Sequence, residues 1–260
     1  TISGGLVIKE GANEYVFIPC TEENYTEDSF GPLTDTDSAS KKVYDSQEQL
    51  NYYYGENYYN YANDFNYDQD KTDIETSINK YKGFYVGRYE TTINNGTIGS
   101  QKGATVLTAG TTLKEGTNPN NSKPYYYRWY GLYKAQKDLY ANNSNIFSSM
   151  ITSEEWDTIM TFTEYGYTKR AASTYTAKPD LSGSAYKGTK DTYDLTKNIY
   201  DLAGNVNEWT LKAGYTDWNG ARVFRGGGYV NDSCSASYAI SVGPNYGSFC
   251  DGSRLALYIK

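Results

Sequence analysis

Residues 225–254, RGGGYVNDSCSASYAISVGPNYGSFCDGSR, decide how this chain is read. Between Gly226 and Gly252 there is no Lys, Glu, Gln, Met or Trp, although these five types supply 43 of the other 233 residues. In proportion, about five of them belong in a window of this length, so the stretch is compositionally set apart. Gly and Pro interrupt it too often for a long helix, and it is too polar for a buried strand. Small adaptable polar residues mixed with Tyr and Phe are the composition of an antibody-like paratope, whose rigid rings give contact area at low entropic cost. A glycine-rich surface loop has the same composition, and the flanking sequence has to decide between them.

Those flanks are ordinary core sequence. Upstream, NIYDLAGNVNEWT (198–210) offers Val206 and Trp209 to a core, and Arg222–Arg225 reads as a strand leading into the glycines. Downstream, Arg254–Ile259 reads as a closing strand, so the unusual stretch is clamped between two strands. Further back, ITSEEWDTIMTF (151–162) carries the sharpest local signature. Thr152 is an N-cap with Glu155 as its capping-box partner, Ile151 and Trp156 form a hydrophobic staple, and Trp156, Ile159, Met160 and Thr163 face inward.

Two more helices are expected. One covers Asp70–Lys82, with Ile74, Ile78 and Tyr81 on one face, acidic residues in the first turn, lysines in the last and Gly83 at C′. The other covers Trp129–Tyr140, with Leu132, Ala135, Gln136 and Leu139 inward. Leu6–Ile8 and Tyr15–Ile18 make an opening hairpin, and Phe84–Tyr89 a strand. Asn94–Lys123 reads as mostly loop with one short strand at 104–107, and 165–194 as loop. Residues 20–70 form a tyrosine-rich loop or insertion without helical or strand period, whose rings either pack on the domain or make an adhesive surface.

Composition excludes several chemistries. There is no His in the chain, which removes Ser-His-Asp, Cys-His and His-ligated metal sites. Cys20, Cys234 and Cys250 lack Cys-x-x-Cys spacing, so no zinc site is expected; Cys234 and Cys250 either pair or stand as thiols. With 24 Lys+Arg against 31 Asp+Glu, a nucleic-acid partner held in a basic groove is not expected. No apolar run is long enough to span a membrane. The chain opens at Thr1 without a Met, leaving room for a leader or fused module upstream.

Five ordered motifs, GFYVGRYET (83–91), ITSEEW (151–156), YDLAGNVNEWT (200–210), RVFRGGGY (222–229) and GSRLALY (252–258), carry a resemblance. They are similar to the EVT, LPTEAEW, GNVWEW, RGGSW and GFR forms of the formylglycine-generating-enzyme (sulfatase-modifying factor) family, and the match runs from about Gly83 onward. The resemblance implies a single α+β domain over 1–260 of C-type-lectin-like fold, with two main helices, short strands and much ordered loop. Arg222, Arg225 and Arg254 then serve as planar forks tying loops together, with Asn205 and Glu208 capping neighbouring loops. It also admits a Ca²⁺ site near Asn205 and Glu208. Catalytic members of that family bind copper through two cysteines spaced five apart. Asn231 and Ala236 occupy those positions here, with Cys234 between them, so no catalytic residue, metal or other cofactor is expected.

The scaffold also resembles the variable proteins of diversity-generating retroelements, in which a C-terminal segment is rewritten at template adenines. An Asn codon changed at its adenines reaches every residue type except Lys, Glu, Gln, Met and Trp, the five absent here. The resemblance implies a non-enzymatic ligand-binding protein whose candidate hypervariable region is 228–251. Its expected contacts are Val230, Asn231, Asp232, Cys234, Tyr238, Ile240, Val242, Tyr246, Phe249, Cys250 and Asp251, the rings as anchors and Asn231, Asp232 and Asp251 as polar specificity. A protein ligand or cell-surface receptor is favoured over a glycan, because no cluster of Ca²⁺ ligands for sugar hydroxyls occurs. A phage virion or bacterial cell surface is the setting this implies, while oligomeric state leaves no mark in the sequence. The alternatives are a divergent copper-dependent oxidase using Cys234 and Cys250, or an adhesive protein binding through its tyrosine-rich insertion.

Overall fold

The apolar residues either side of Gly11 pair as their alternation requires. β1 (Val7–Glu10) and β2 (Asn13–Pro19) form an antiparallel hairpin with Val7 opposite Val16 and Glu10 opposite Asn13. In this computed structural model the described residues are 1–21, 25, 67–109, 129–164, 195–202, 204–213, 222–228, 236, 239–243 and 250–260. The structural expectations for 165–194 and for most of the tyrosine-rich segment 20–70 lie outside them.

Helix α1 (Tyr67–Tyr81) buries Ile74 and Ile78 as their spacing demands. It ends at Lys82, which takes the left-handed conformation at φ 57°. Gly83 is therefore not the helix terminator that the sequence suggests. It opens β3 (Gly83–Gly87), where a Cβ would lie 2.4 Å from the Ile18 carbonyl oxygen of β2, so close approach of two strands demands glycine. Residues 92–106 hold more strand than expected: β4 (Thr92–Asn94) and β5 (Thr97–Gly99) flank Asn95 and Gly96, at φ 50° and 81°, and β6 (Thr105–Val106) pairs with β4. Two left-handed residues in succession are what an Asn-Gly hairpin turn needs.

Helix α2 (Trp129–Asp138) lies against β7 (Ile146–Met150), with the Ser148 hydroxyl donating to the Gln136 carbonyl at 2.5 Å. Helix α3 (Ser153–Thr163) begins with the expected capping box: Glu155 N–H donates to Thr152 Oγ1 at 3.0 Å, and Thr152 N–H to Glu155 Oε2 at 2.8 Å. The remaining strands are β8 (Leu195–Thr196), β9 (Ile199–Tyr200), β10 (Asn207–Ala213), β11 (Arg222–Arg225), β12 (Ala239–Val242), β13 (Asp251–Ser253) and β14 (Leu255–Ile259).

A five-stranded antiparallel sheet runs β1-β2-β3-β14-β7, and a four-stranded sheet runs β12-β11-β10-β13 with only the β10–β13 pair parallel. The architecture is α+β with mainly antiparallel pairing. The described residues hold three helices, one more than the resemblance implies, because α1 also covers the large sheet. Trp156, Ile159 and Met160 of α3 join Trp129, Trp209, Phe84 and Phe224 in one buried cluster.

Glu155 is completely buried, accepting also from the Tyr258 hydroxyl at 2.7 Å. Burial pushes its carboxyl up to about 8, against the opposing pull of its hydrogen bonds from Thr152 and Tyr258. A raised carboxyl is protonated in the folded chain while the unfolded chain has released its proton. Its contribution to stability is thus complete below about pH 4.5 and is lost as pH rises to about 8, with a slope of at most about 1.4 kcal/mol per pH unit. Glu155→Gln keeps the amide oxygen for the Thr152 N–H and is expected to flatten this part of a melting-temperature profile between pH 5 and 8.

Candidate functional site

The unusual stretch enters from β11 and leaves through β13, and most of its described anchor bonds use its main-chain atoms. Gly226 turns out of β11 at φ 67°, where a Cβ would meet the Leu202 carbonyl oxygen at 3.2 Å and the Trp156 ring at 3.3 Å. The Trp156 indole N–H donates to the Ala236 carbonyl at 2.9 Å, and Ala236 is completely buried. β12 is laid along β11 by a backbone ladder, from Arg222 opposite Val242 to Arg225 opposite Ala239. At the far end, Asn207 N–H donates to the Cys250 carbonyl at 2.7 Å, Ala109 N–H to that of Asp251 at 2.6 Å, and Thr91 N–H to that of Ser253 at 2.8 Å.

β12 is a strand inside a stretch expected to be too polar for a buried one. It is not a core strand: Ala239, Ser241 and Val242 are half-buried and Ile240 is 40% exposed. Of the residues expected to contact a ligand, Ile240 stands out in solvent, while Val242 packs partly on the core. Cys250 is half-buried, its thiol 3.6 Å from Asp251 Oδ1. Asp251 is a correction: it is 1% exposed and accepts a hydrogen bond from Asn207 Nδ2 at 3.1 Å. Its carboxyl bonds across the β10–β13 junction, where Asn207 lies directly opposite it. Val230, Asn231, Asp232, Cys234, Tyr238, Tyr246 and Phe249 lie outside the described residues, as does the pairing question for Cys234.

The described residues around β10, β11 and α3 hold several buried charged side chains. Arg254 donates to the carbonyls of Gly87 at 3.0 Å and Tyr200 at 2.9 Å, and its Nη2 stands 2.6 Å from Glu208 Oε1. Arg225 pairs with Asp157 of α3, and the Arg222 guanidinium lies 4.5 Å above the Trp129 ring. All three arginines are completely buried, which suits the flat, weakly hydrated guanidinium fork. Glu90 accepts from Asn205 Nδ2 and, at 3.1 Å, from Val206 N–H. Burial, then the nearby Asp201 and Glu208 carboxylates, holds Glu90 well above the usual carboxylate range, with Arg254 opposing. The two residues named for a Ca²⁺ site thus meet protein partners, Asn205 at Glu90 and Glu208 at Arg254. Among the described residues no group of three or more His, Cys, Asp or Glu is placed to hold a metal ion.

Sequence reasoning placed Trp156 in the core but missed its grip on the unusual stretch. It also missed Thr91, Ala109 and Asn207 as anchors, since a bond from a main-chain N–H leaves no mark on residue type.

No protein-family model and no curated protein matches the chain. Among solved structures it is similar to CarF, at 15% identity over 69% of this chain and 87% of that one, with a TM-score of 0.43. It is similar to Treponema denticola variable protein 1, at 16% identity over 67% and 84% of the two chains, TM-score 0.43. It is also similar to the M1 variant of the Major Tropism Determinant, at 16% identity over 68% of this chain and 50% of that one, TM-score 0.47. Among the described residues no helix is long and apolar enough to cross a membrane.

Proposed function

We propose that this chain is a C-type-lectin-like binding protein, not an enzyme, that recognises a protein receptor through side chains carried between Gly228 and Asp251. The observation that supports this reading best is the anchoring of the stretch by its own main chain at Ala236, along β12, and at Cys250, Asp251 and Ser253. A carbonyl accepts the same hydrogen bond whatever side chain its residue carries, so such a stretch tolerates replacement of the side chains it presents. The missing residue types and the retroelement resemblance point the same way. Ala236 offers no thiol where the resemblance places one of two copper-binding cysteines, which argues for the scaffold without the oxidase.

Charge narrows the partner. The chain carries a net charge of −7 and its candidate stretch holds no Lys or Arg, which disfavours polyanionic ligands. Ile240 supplies exposed apolar surface, and Tyr238, Tyr246 and Phe249 supply rings of the kind that dominate binding hot spots. Asp251 is reassigned from contact to anchor, leaving Asn231 and Asp232 as the polar contacts. A phage virion or a bacterial surface suits such a display.

The reading is tested with a library randomised at Asn231, Asp232, Tyr238, Ile240, Val242, Tyr246, Phe249 and Cys250, panned against detergent-solubilised bacterial outer-surface proteins. Distinct clones binding distinct proteins are expected, with most members melting within a few degrees of the parent, as surface replacements do. A library in which most members fail to fold, or which folds and yields no protein-specific clone, removes the proposal.

A further inference from the structure

Resting on the reading of 228–251 as a display surface, we infer that Trp156 is a positioning residue that ties the start of that surface to its middle. One side of the indole packs at Gly226, where even a methyl group would come within 3.3 Å of the ring, and its N–H holds the Ala236 carbonyl at 2.9 Å. A single side chain thereby meets the chain at Gly226 and at Ala236, either side of residues 227–235, and its bond at Ala236 is to a main-chain carbonyl. Bringing two points of a chain together costs entropy that grows slowly with the length between them. A tie at the base meets that cost once, for every sequence the interval carries.

Trp156 is itself held rigidly. It is the first residue after the capping-box glutamate, its N–H donates to the Thr152 carbonyl at 3.1 Å, and it is completely buried alongside Ile151. The Ala236 carbonyl is buried with it, so losing the indole N–H leaves an acceptor without its donor, which costs more than the net worth of a hydrogen bond in water. The chemistry also explains why tryptophan is needed there: phenylalanine fills part of the space and donates nothing.

Hydrogen exchange read by mass spectrometry on the full chain tests the assignment. Trp156→Phe, and replacement of Trp156 by 3-benzothienylalanine, which puts sulfur in place of the N–H at almost unchanged shape, are compared with Thr152→Ala. The threonine change weakens the same helix end but leaves the indole bond. Peptides spanning 227–238 are expected to exchange about tenfold faster in both Trp156 variants, a factor corresponding to about 1.4 kcal/mol. They are expected to keep the parent rate in Thr152→Ala, although its melting temperature falls by a few degrees. Unchanged exchange in the benzothiophene variant, or equal acceleration in Thr152→Ala, overturns the inference. If Trp156→Phe does not fold, the isosteric replacement decides. The exchange result does not depend on any ligand, so a library without binders would defeat the display reading and leave this measurement to stand or fall alone.

Discussion

Replacing Arg254 by Met is expected to lower the melting temperature by about 10 °C. The substitution removes donors to the Gly87 and Tyr200 carbonyls and strips Glu208 of the cation 2.6 Å from its oxygen, all where nothing is exposed to water. Breaking a buried pair by removing one partner costs about 3–5 kcal/mol, because the other charge stays buried and uncompensated. At roughly 2–4 °C per kcal/mol for a domain of this size, the shift follows. Position in the fold adds to it: Arg254 is the single residue between β13 of the four-stranded sheet and β14 of the five-stranded sheet. Adding Glu208→Gln to Arg254→Met should recover part of the loss by removing the orphaned charge. Arg254→Lys should recover little, since an ammonium cannot aim planar donors at two carbonyls and a carboxylate together. Calorimetry on the three variants beside the parent decides it, and a drop of under 2 °C for Arg254→Met would show that the pair does not join the sheets.

The parts of this fold that were legible in the sequence are those that local chemistry dictates. The capping box at Thr152 and Glu155, the burial of Ile151 and Trp156, the inward faces of α1 and α2, and the strands at 222–225 and 255–259 all follow from residue type and spacing. The hairpin at 92–99 was equally legible from Asn95-Gly96 and was passed over, because its two strands are only three residues long. Two features were beyond reach for a physical reason. β12 is a strand because β11 offers it a free backbone edge, not because its own residues alternate. Asp251 is buried because β10 approaches from residues far away in the chain, with Asn207 directly opposite it. The candidate surface was legible as a composition and not as a shape, since composition records which side chains are tolerated and not which are displayed.

That distinction yields the sharpest contrast between neighbouring positions of the stretch. Ala236→Asp is expected to destabilise the chain by about 3 kcal/mol or more, as an unpaired charge in a buried site does. Ile240→Asp is expected to cost under about 1 kcal/mol, because its side chain already stands 40% in solvent while that of Ala236 is wholly enclosed. The two positions are four residues apart in a segment of uniform composition, so a generic loop would treat them alike. If adenine-directed rewriting produces this segment, it delivers Asp, Asn, Ser, Gly and Ala codons to any Asn-derived position with no knowledge of burial. Folding then has to remove the charged products at position 236 and pass them at 240. Deep sequencing of a library randomised at both codons, before and after sorting for folded, soluble chains, measures this directly. Small residues should survive at 236 and all types at 240. Survival of Asp at both positions would mean that the Trp156 tie yields to a charge at its base, and that the stretch is held more loosely than its main-chain bonds require.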